Sequence, residues 1–385
     1  MRLLSILMLL CLLFSQATAE VSATAVVQNT KQHKEIQDKI TAISKKYDAV
    51  GVTVAYVRGG VVADTFVYGH ATRKTVKMKP DTKVRTASIT KVMVGLAAHL
   101  TAEKGLMDLD AGIDQYLGFK IRLRNSKDKV TARSILTHTS SIDTPDDKVS
   151  GRYSDVKEHL TGKKAVLAYA SGDIKNWSYS NYAFYVLGMA VERANNKTMD
   201  QILEEAFADK LKMDGSFWGG DLKAPEKIAT IYNNDRKVTA SKESQMEAHA
   251  PGPGKNGGAF AGSYRASAYD LGKVVAMLAN DGCYDGERII SASVVAALEK
   301  YIPQIVPDEK FYQAQPLRYR KNMYGRQGLY YHTGSNSGEF NLIAYDPVRK
   351  DGVVVLSTGA YGRDSYGIYA VCGAIADLLF NTDWK

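Results

Sequence analysis

The sequence predicts an α+β fold in which helices from both ends of the chain flank one antiparallel sheet, and a mostly helical lobe is joined to it. Two patterns support this fold class. Alternating segments rich in β-branched residues stand near both ends, within residues 50–68 and 329–356. The stretch between them, from about residue 100 to 310, has the pattern of short amphipathic helices and loops. Strands from both ends that form one sheet around a helical insertion are typical of an α+β architecture.

The elements before the helical middle are a helix and a hairpin. Isoleucines recur at helical spacing within residues 30–47 and predict an amphipathic helix there. Two alternating segments, residues 50–58 and 61–68, are separated only by Gly59-Gly60, which predicts two strands joined by a tight turn. A long apolar stretch after Ser88 then predicts a buried helix.

The elements after the helical middle are three strands and a helix. Asp346-Pro347 and Lys350-Asp351-Gly352 mark turns between short apolar segments. The predicted elements are strands over residues 329–333, 340–345 and 352–356, and a last helix over about 366–380.

The start of the chain has the pattern of a secretory signal peptide. Arg2 precedes an apolar run over residues 3–14, and Ala17-Thr18-Ala19 forms a small-residue cleavage site. We expect residues 1–19 to be a signal peptide and the mature chain to begin after Ala19. The apolar run is too short for a stable membrane helix, and no later stretch is long and apolar enough for one. The prediction is an exported protein, periplasmic or secreted, with no integral membrane segment in its mature chain.

Charge, cysteine content and residue spacing indicate which partners and cofactors the protein is expected to lack. The net charge is +9 at pH 7, but Lys and Arg are mixed among Asp and Glu, and no basic run is suited to nucleic acid. Cys283 and Cys372 can pair in an oxidising compartment, although two unpaired thiols are the favoured interpretation. No Cys/His cluster has metal-ligand spacing. We therefore predict neither a nucleic-acid partner nor a metal or other cofactor.

Ser88-Ile89-Thr90-Lys91 opens the apolar helical stretch. A serine and a lysine three residues apart share one face of a helix. The residues from Ile89 to Ala98 include no carboxylate that would pair with Lys91. If that face is buried, desolvation lowers the pKa of the lysine. A neutral amine can then take the proton of the Ser88 hydroxyl and make it a nucleophile. The alternative is an N-cap serine beside a surface lysine.

Two further motifs lie where side chains or backbone N–H groups can face a substrate. Tyr179 and Asn181 lie in a loop just before an apolar helix, so that a phenol and an amide can face a substrate. His332-Thr333-Gly334-Ser335 ends a predicted strand. Gly334 lets a substrate backbone approach the strand edge, and free N–H groups of that edge can hold an oxyanion. The alternatives are a tyrosine that caps a core and a turn glycine at a strand end.

Taken together, the order S-x-x-K, Y-x-N, H-T-G resembles the serine hydrolases of the class C β-lactamase and DD-peptidase (penicillin-binding) family. The resemblance covers roughly residues 36 to 380 and implies the α+β fold of that family. It also implies a single β-lactamase-related catalytic domain over residues 20–385. Further matching segments are Val50-Gly51-Val52-Thr53-Val54-Ala55, Arg85-Thr86-Ala87-Ser88, Ile135-Leu136-Thr137-His138-Thr139-Ser140-Ser141 and Gly257-Gly258-Ala259-Phe260. The expected division is an α/β lobe of about residues 30–87 and 315–385 and a helical lobe of about residues 88–314.

The resemblance implies a role for each motif residue. Ser88 is expected to be the acylated nucleophile, Lys91 its activating partner and Tyr179 the general base and acid. The backbone N–H groups of Ser88 and Ser335 are expected to form the oxyanion hole. The expected substrate-binding residues are Asn181, His332, Thr333, Gly334 and Ser335.

The third motif also favours one activity within the family. His332 stands where class C β-lactamases carry lysine, and histidine there resembles the DD-carboxypeptidases, D-amino-acid peptidases and esterases of the family. We therefore expect a serine hydrolase that cleaves peptides of the peptidoglycan type through an acyl-enzyme, with β-lactams as acylating ligands. A carboxylesterase is the second expectation and a β-lactamase the third. A non-catalytic penicillin-binding module is the alternative from another class, and the intact catalytic residues argue against it.

A cluster of basic residues precedes the third motif. Its members are Arg318, Arg320, Lys321 and Arg326. They can bind a substrate carboxylate, but a solvated loop or strand face is the favoured interpretation.

Overall fold

The computed structural model describes residues 30–123, 129–142, 150–162 and 172–384. The predicted signal peptide lies outside these residues. The described helices are α1 (Thr30–Lys46), α2 (Thr90–Glu103), α3 (Asp114–Leu117), α4 (Ala132–Leu136), α5 (Tyr153–Thr161), α6 (Asn181–Asn195), α7 (Met199–Leu203), α8 (Lys242–Met246), α9 (Ala268–Ala279), α10 (Ala292–Glu299) and α11 (Ala370–Phe380). A 3₁₀ turn, Ala87–Ile89, directly precedes α2.

The strands of the described residues form one large antiparallel sheet and three small ones. The strands are β1 (Gly51–Arg58), β2 (Val61–Thr72), β3 (Val76–Lys77), β4 (Val84–Arg85), β5 (Gly215–Ser216), β6 (Ile231–Tyr232), β7 (Val238–Ala240), β8 (Arg265–Ala266), β9 (Cys283–Tyr284), β10 (Glu287–Arg288), β11 (Tyr312–Gln313), β12 (Arg318–Arg320), β13 (Leu329–Asn336), β14 (Glu339–Asp346) and β15 (Asp351–Thr358). The order across the large sheet is β11-β12-β13-β14-β15-β1-β2-β3. The first and last thirds of the chain therefore meet where β15 pairs with β1.

Both faces of the sheet are covered. Successive side chains of a strand point to opposite faces, so β1 contributes to two cores. Val52 and Val54 pack with α1 and α11 on one face. Ala55 and Val57 belong to the larger core on the other face, which the helical part of the chain completes. This double coverage explains why the central strands are almost wholly apolar.

The predicted α+β fold is confirmed. Each predicted terminal strand is present, and the hairpin turn at Gly59 and Gly60 has φ values of 61° and 79°, in the left-handed region that glycine favours. β13, β14 and β15 are each longer than predicted, because their polar end residues still pair in the sheet. The last helix begins at Ala370, four residues later than predicted. Neither β11 nor β12 was predicted, since strands of two and three residues carry no measurable alternation.

The sheet leaves one strand edge open beside α2. β12 lies between β11 and β13, and it reaches only the first three residues of β13, where Arg318 lies opposite Tyr331. In the described part of the chain, no strand pairs with residues 332–336 on the side away from β14. This open stretch of β13 lies against the 3₁₀ turn that precedes α2.

Two sequence expectations concern membranes and cysteines. No helix in the described ranges is long and apolar enough to cross a bilayer. Cys372 is buried and Cys283 is partly exposed, and both are free thiols.

Candidate active site

Ser88 lies in the 3₁₀ turn that leads into α2. Ala87 precedes it with a φ of 48°, a left-handed conformation that costs a non-glycine residue about 1–3 kcal/mol. Two threonine hydroxyls fix this turn to the neighbouring chain. Thr86 Oγ1 donates to the carbonyl oxygen of Tyr264 at 2.9 Å, and the Tyr264 N–H donates to Thr90 Oγ1 at 3.0 Å. The turn thus holds the partly exposed Ser88 hydroxyl at a fixed place above α2.

Lys91 is fully buried in the first turn of α2, with its amine beside Ser88. Its Nζ lies 3.3 Å from Ser88 Oγ, and it donates to Asn181 Oδ1 and to the Ala261 carbonyl oxygen, each at 2.7 Å. Burial lowers the pKa of Lys91, and the charge of Arg318 acts in the same direction. A neutral amine has two N–H donors and one lone pair. The three oxygens around Nζ accept from the three N–H groups of the ammonium form. When the amine loses a proton, Asn181 and Ala261 can keep the two remaining N–H groups and the lone pair can face Ser88.

Tyr179 and Asn181 flank the start of α6, which Ser180 caps through its hydroxyl. The Lys91 amine lies 5.0 Å from the centre of the Tyr179 ring. Burial raises the pKa of Tyr179, but the charge of Lys91 and the hydrogen bond with Ser88 outweigh it, so that the pKa is lowered. Asn181 is exposed and receives a hydrogen bond from Lys91, which leaves its amide nitrogen for a bound molecule. Ser88, Lys91, Tyr179 and Asn181 therefore form one constellation.

His138 is a neighbour of this constellation that the motifs did not single out. Its ring lies 4.4 Å from the Tyr179 ring, and its Nδ1 accepts a hydrogen bond from the Ser180 N–H at 3.2 Å. Because a backbone N–H only donates, the proton of the neutral ring is on Nε2. Burial holds the pKa of His138 well below its ordinary value, so the ring is neutral. In the sequence, the only indication of a role for His138 was its place within the Leu136-Thr137-His138-Thr139 segment, which matches the family.

The third motif lies on the open edge of β13. A Cβ built on Gly334 would lie 2.1 Å from the Thr86 carbonyl oxygen and 3.2 Å from the Ser88 nitrogen. Only glycine therefore lets the strand approach the nucleophile turn this closely. Thr333 is partly exposed and Ser335 is exposed at the same edge. Backbone N–H groups of Ser88 and Ser335 are thus placed in adjoining segments, as an oxyanion hole requires.

His332 belongs to the same strand, but its imidazole is buried. Its Nδ1 donates to the Thr333 carbonyl oxygen at 2.7 Å. Its Nε2 has no hydrogen-bond partner among the described residues. Burial and the charges of Arg318 and Lys91 hold the pKa of His332 well below its ordinary value. The side chain is therefore neutral, and its role as a substrate contact stays a prediction, as do the roles of the other motif residues.

The described residues contain no group of three or more His, Cys, Asp or Glu side chains that is arranged to hold a metal ion.

A comparison with protein families identifies the family of this chain. The model of the β-lactamase family matches residues 36–371, which is most of the chain. The chain belongs to the β-lactamase family. The resemblance drawn from the three motifs is confirmed, and with it the prediction of a β-lactamase-related serine hydrolase at the level of the family.

Individual relatives of this β-lactamase-family chain are distant. Esterase EstB from Burkholderia gladioli is 29% identical over 221 residues, which are 52% of this chain and 55% of the esterase. Protein flp from Staphylococcus aureus strain MW2 is 27% identical over 171 residues, 42% of this chain and 34% of that protein. The chain thus spans a third to about half the length of these curated relatives.

The fold is shared more widely than the sequence. The β-lactamase/D-alanine carboxypeptidase from Pseudomonas syringae superposes with a TM-score of 0.71 at 16% identity, over 92% of this chain and 100% of that one. At this identity the likeness concerns the fold alone. It confirms that the antiparallel sheet with helices on both faces is the β-lactamase and penicillin-binding-protein fold.

Proposed function

We propose that this chain is an exported serine hydrolase that cleaves D-amino-acid peptides of the cell-wall type, as a DD-carboxypeptidase does, through an acyl-enzyme on Ser88. One observation carries the proposal of acyl transfer. The buried Lys91 amine, with a lowered pKa, lies 3.3 Å from Ser88 Oγ and has two other acceptors for its N–H groups. A deprotonated amine at hydrogen-bonding distance is what activation of a serine hydroxyl needs.

The proposed reaction has two acyl-transfer steps. Ser88 Oγ bonds to the substrate carbonyl carbon while its proton moves to Lys91 or Tyr179, and the oxyanion accepts hydrogen bonds from the N–H groups of Ser88 and Ser335. Collapse of this intermediate breaks the bond to the leaving amine, which takes the proton. Water then attacks the ester on Ser88 and loses a proton to the same base. The bond between the carbonyl carbon and Ser88 Oγ breaks, Oγ takes that proton back, and the acid is released. Because Lys91 and Tyr179 are coupled, the pair rather than one residue is the base.

Two features support a peptidase over a β-lactamase. The side chain at the start of the third motif is a neutral, buried histidine, which offers a β-lactam carboxylate no permanent charge. The open edge of β13 can receive an extended peptide backbone. Esterase activity is the second candidate, because one curated relative that matches half of the chain is an esterase. The proposal of export rests on the signal-peptide pattern of residues 1–19 alone.

A single panel tests the proposed function. Purified protein and its Ser88→Ala variant are treated with a fluorescent penicillin, an acyl-D-Ala-D-Ala peptide, nitrocefin and nitrophenyl esters. We expect a covalent adduct by intact mass and release of D-alanine, both lost in Ser88→Ala by more than about a thousandfold. The substitution removes one hydroxyl from a partly exposed site, so the melting temperature should hardly change. Turnover of esters alone would favour the esterase, and an unmodified, inactive protein would favour a binding module.

A further inference from the structure

His138 holds the chain on both sides of Tyr179. The Ser178 N–H donates to the His138 carbonyl oxygen at 2.9 Å, and the Ser180 N–H donates to His138 Nδ1 at 3.2 Å. The imidazole also packs against the phenol ring, with 4.4 Å between the ring centres and an angle of 31° between the ring planes. One residue therefore contacts the position before Tyr179, the position after it and the ring between them.

The loop that carries Tyr179 belongs to no helix or strand. Residues 177–180 connect a 3₁₀ turn, Ile174–Asn176, to α6, and no strand pairs with them in the described part of the chain. Such loops move more than the helices and strands beside them. A phenol on this loop keeps one position only if other segments hold it. The contacts from His138 do so, and the Ser180 hydroxyl caps α6.

The place of His138 is unfavourable for the fold in two ways. Its φ of 57° lies in the left-handed region, which a non-glycine residue adopts at a cost. Because Nδ1 accepts a hydrogen bond, the ring proton is on Nε2, and this buried N–H has no partner among the described residues. Burial and the charges of Lys91, Arg318 and His332 hold the pKa of His138 well below its ordinary value, so the ring stays neutral. Residues that break local rules in this way are expected where function requires them.

We propose that His138 is a positioning residue, which holds the Tyr179 hydroxyl where it can exchange a proton with Ser88 and Lys91. The inference rests on the proposed acyl transfer and adds to it a residue that acts through Tyr179. His138 is not itself the base, since Nδ1 is bonded to the Ser180 N–H and Nε2 carries the ring proton. A displacement of about 1 Å in a catalytic site can cost about 100-fold in rate. The competing explanation is that His138 only stabilises the fold.

Two substitutions test whether the acceptor of His138 matters. His138→Asn keeps an acceptor near the place of Nδ1, and asparagine tolerates a positive φ. His138→Leu has about the same bulk but no acceptor. The rate is measured as inactivation by a neutral fluorophosphonate, which requires only attack by Ser88. We expect His138→Leu to lower kinact by about 30- to 100-fold and to change KI by less than about twofold, whereas His138→Asn should stay within about fivefold of the wild type.

Thr139→Val is the matched structural control. Thr139 is buried in the same segment, and its hydroxyl is hydrogen-bonded to that of Thr137 at 2.9 Å rather than to the Tyr179 loop. The substitution removes this bond, so the melting temperature should fall while kinact stays within about twofold of the wild type. Should His138→Leu fail to fold, His138→Ala is measured in its place, because it also lacks the acceptor.

A measurement without turnover tests the position of Tyr179 directly. In protein labelled with ¹³C at tyrosine Cζ, the Tyr179 resonance is assigned by its loss in Tyr179→Phe, and its titration is followed by NMR. Burial raises the pKa of Tyr179 in the wild type, but the charge of Lys91 and the hydrogen bond with Ser88 outweigh it. A displaced phenol loses these two contributions. We therefore expect the midpoint to rise in His138→Leu and to stay near the wild-type value in His138→Asn.

Three results would contradict a part of this account. Equal losses of kinact in His138→Leu and Thr139→Val would show that His138 only stabilises the fold and overturn the inference. An unchanged Tyr179 titration in His138→Leu would overturn it as well, because the phenol would then keep its place without His138. A wild type that no acylating reagent modifies, but whose Tyr179 titration still depends on His138, would contradict the proposed hydrolysis and leave the positioning of Tyr179 standing.

Discussion

At the scale of single residues, the proposed acyl transfer depends on the protons that Lys91 and Tyr179 share. Both pKa values lie below their ordinary values of 10.5 and 10.0. Burial lowers the pKa of Lys91, whereas for Tyr179 the charge of Lys91 and the hydrogen bond with Ser88 outweigh the burial that raises its pKa. Burial favours the neutral amine of Lys91, and a charged Lys91 favours the phenolate of Tyr179. The two side chains therefore share one proton. This explains why a lysine is buried here without any carboxylate partner among the described residues.

Lys91→Arg tests this proton exchange. Arginine keeps the positive charge but stays protonated at any working pH, so acylation should fall by more than about a thousandfold. In the wild type, the rate of acylation by a neutral ester should rise with pH as the pair deprotonates, with an apparent pKa below 10. Lys104→Arg, at the exposed end of α2, is the control and should leave the rate unchanged. Substantial activity in Lys91→Arg would show that the residue serves only as a cation.

Sequence patterns could identify only part of this site. Ser88, Lys91, Tyr179 and Asn181 were identifiable because each belongs to a short motif with fixed spacing. His138 was not, since it reaches Tyr179 through tertiary packing. Arg318 was named only as one of four basic residues, because its place beside the Tyr179 ring depends on a strand of three residues. The burial of the His332 imidazole was also unpredictable, because one strand register decides which face a residue occupies.

At the scale of elements, the site depends on how closely β13 approaches the 3₁₀ turn before α2. Terminal strands and helices were predictable from period and turn residues, but this approach was not. It follows from the sheet order, which brings β13 next to β14 and leaves its other edge open. An ion pair between Arg85 of β4 and the buried Glu339 of β14 ties the two segments together, and Asn341 donates to the Arg85 carbonyl oxygen at 3.0 Å.

Gly334→Ala tests this approach. The added methyl group would lie 2.1 Å from the Thr86 carbonyl oxygen, so the strand must move away from the nucleophile turn. We expect a loss of about 100-fold or more in acylation, as for removal of one oxyanion-hole donor, and also a lower melting temperature, because the clash is with backbone atoms. The measurement is inactivation by a fluorophosphonate, with Ser337→Ala at the exposed tip of the hairpin as the control. Unchanged inactivation would show that the N–H of Ser335 does not stabilise the oxyanion.

At the scale of the whole molecule, buried titratable groups act on stability in opposite directions. Burial raises the pKa values of Glu192 and Glu299 to about 7 and that of Asp200 to about 6, so the fold favours their protonated forms. These groups make the protein less stable as the pH rises through that range. Burial lowers the pKa of His99 to about 4, and those of His138 and His332 are also lowered. The histidines make the protein less stable as the pH falls below 6.5, and the two sets partly cancel.

Glu299→Gln tests the contribution of one buried carboxyl group to the pH dependence of stability. Glu299 accepts a hydrogen bond from the Tyr345 hydroxyl at 2.9 Å, and the oxygen of glutamine can accept the same bond. In the unfolded chain the carboxyl ionises above its ordinary pKa of 4.5, but in the fold it stays protonated up to about 7. The free energy of unfolding of the wild type therefore carries a contribution that is present at pH 4.5 and is lost by pH 8. The variant lacks this contribution.

The two proteins should have similar stability at pH 4.5. At pH 8 the variant should be more stable by about 1–2 kcal/mol, a value reduced from the full pKa shift because the side chain is partly exposed. Urea unfolding at both pH values measures the difference. Glu205→Gln is the control, since that exposed carboxylate pairs with Lys197 and its pKa is lowered, so its removal cannot stabilise the protein at high pH. If Glu299→Gln is equally destabilising at both pH values, Glu299 is ionised in the fold and its bond to Tyr345 is a charge-assisted one.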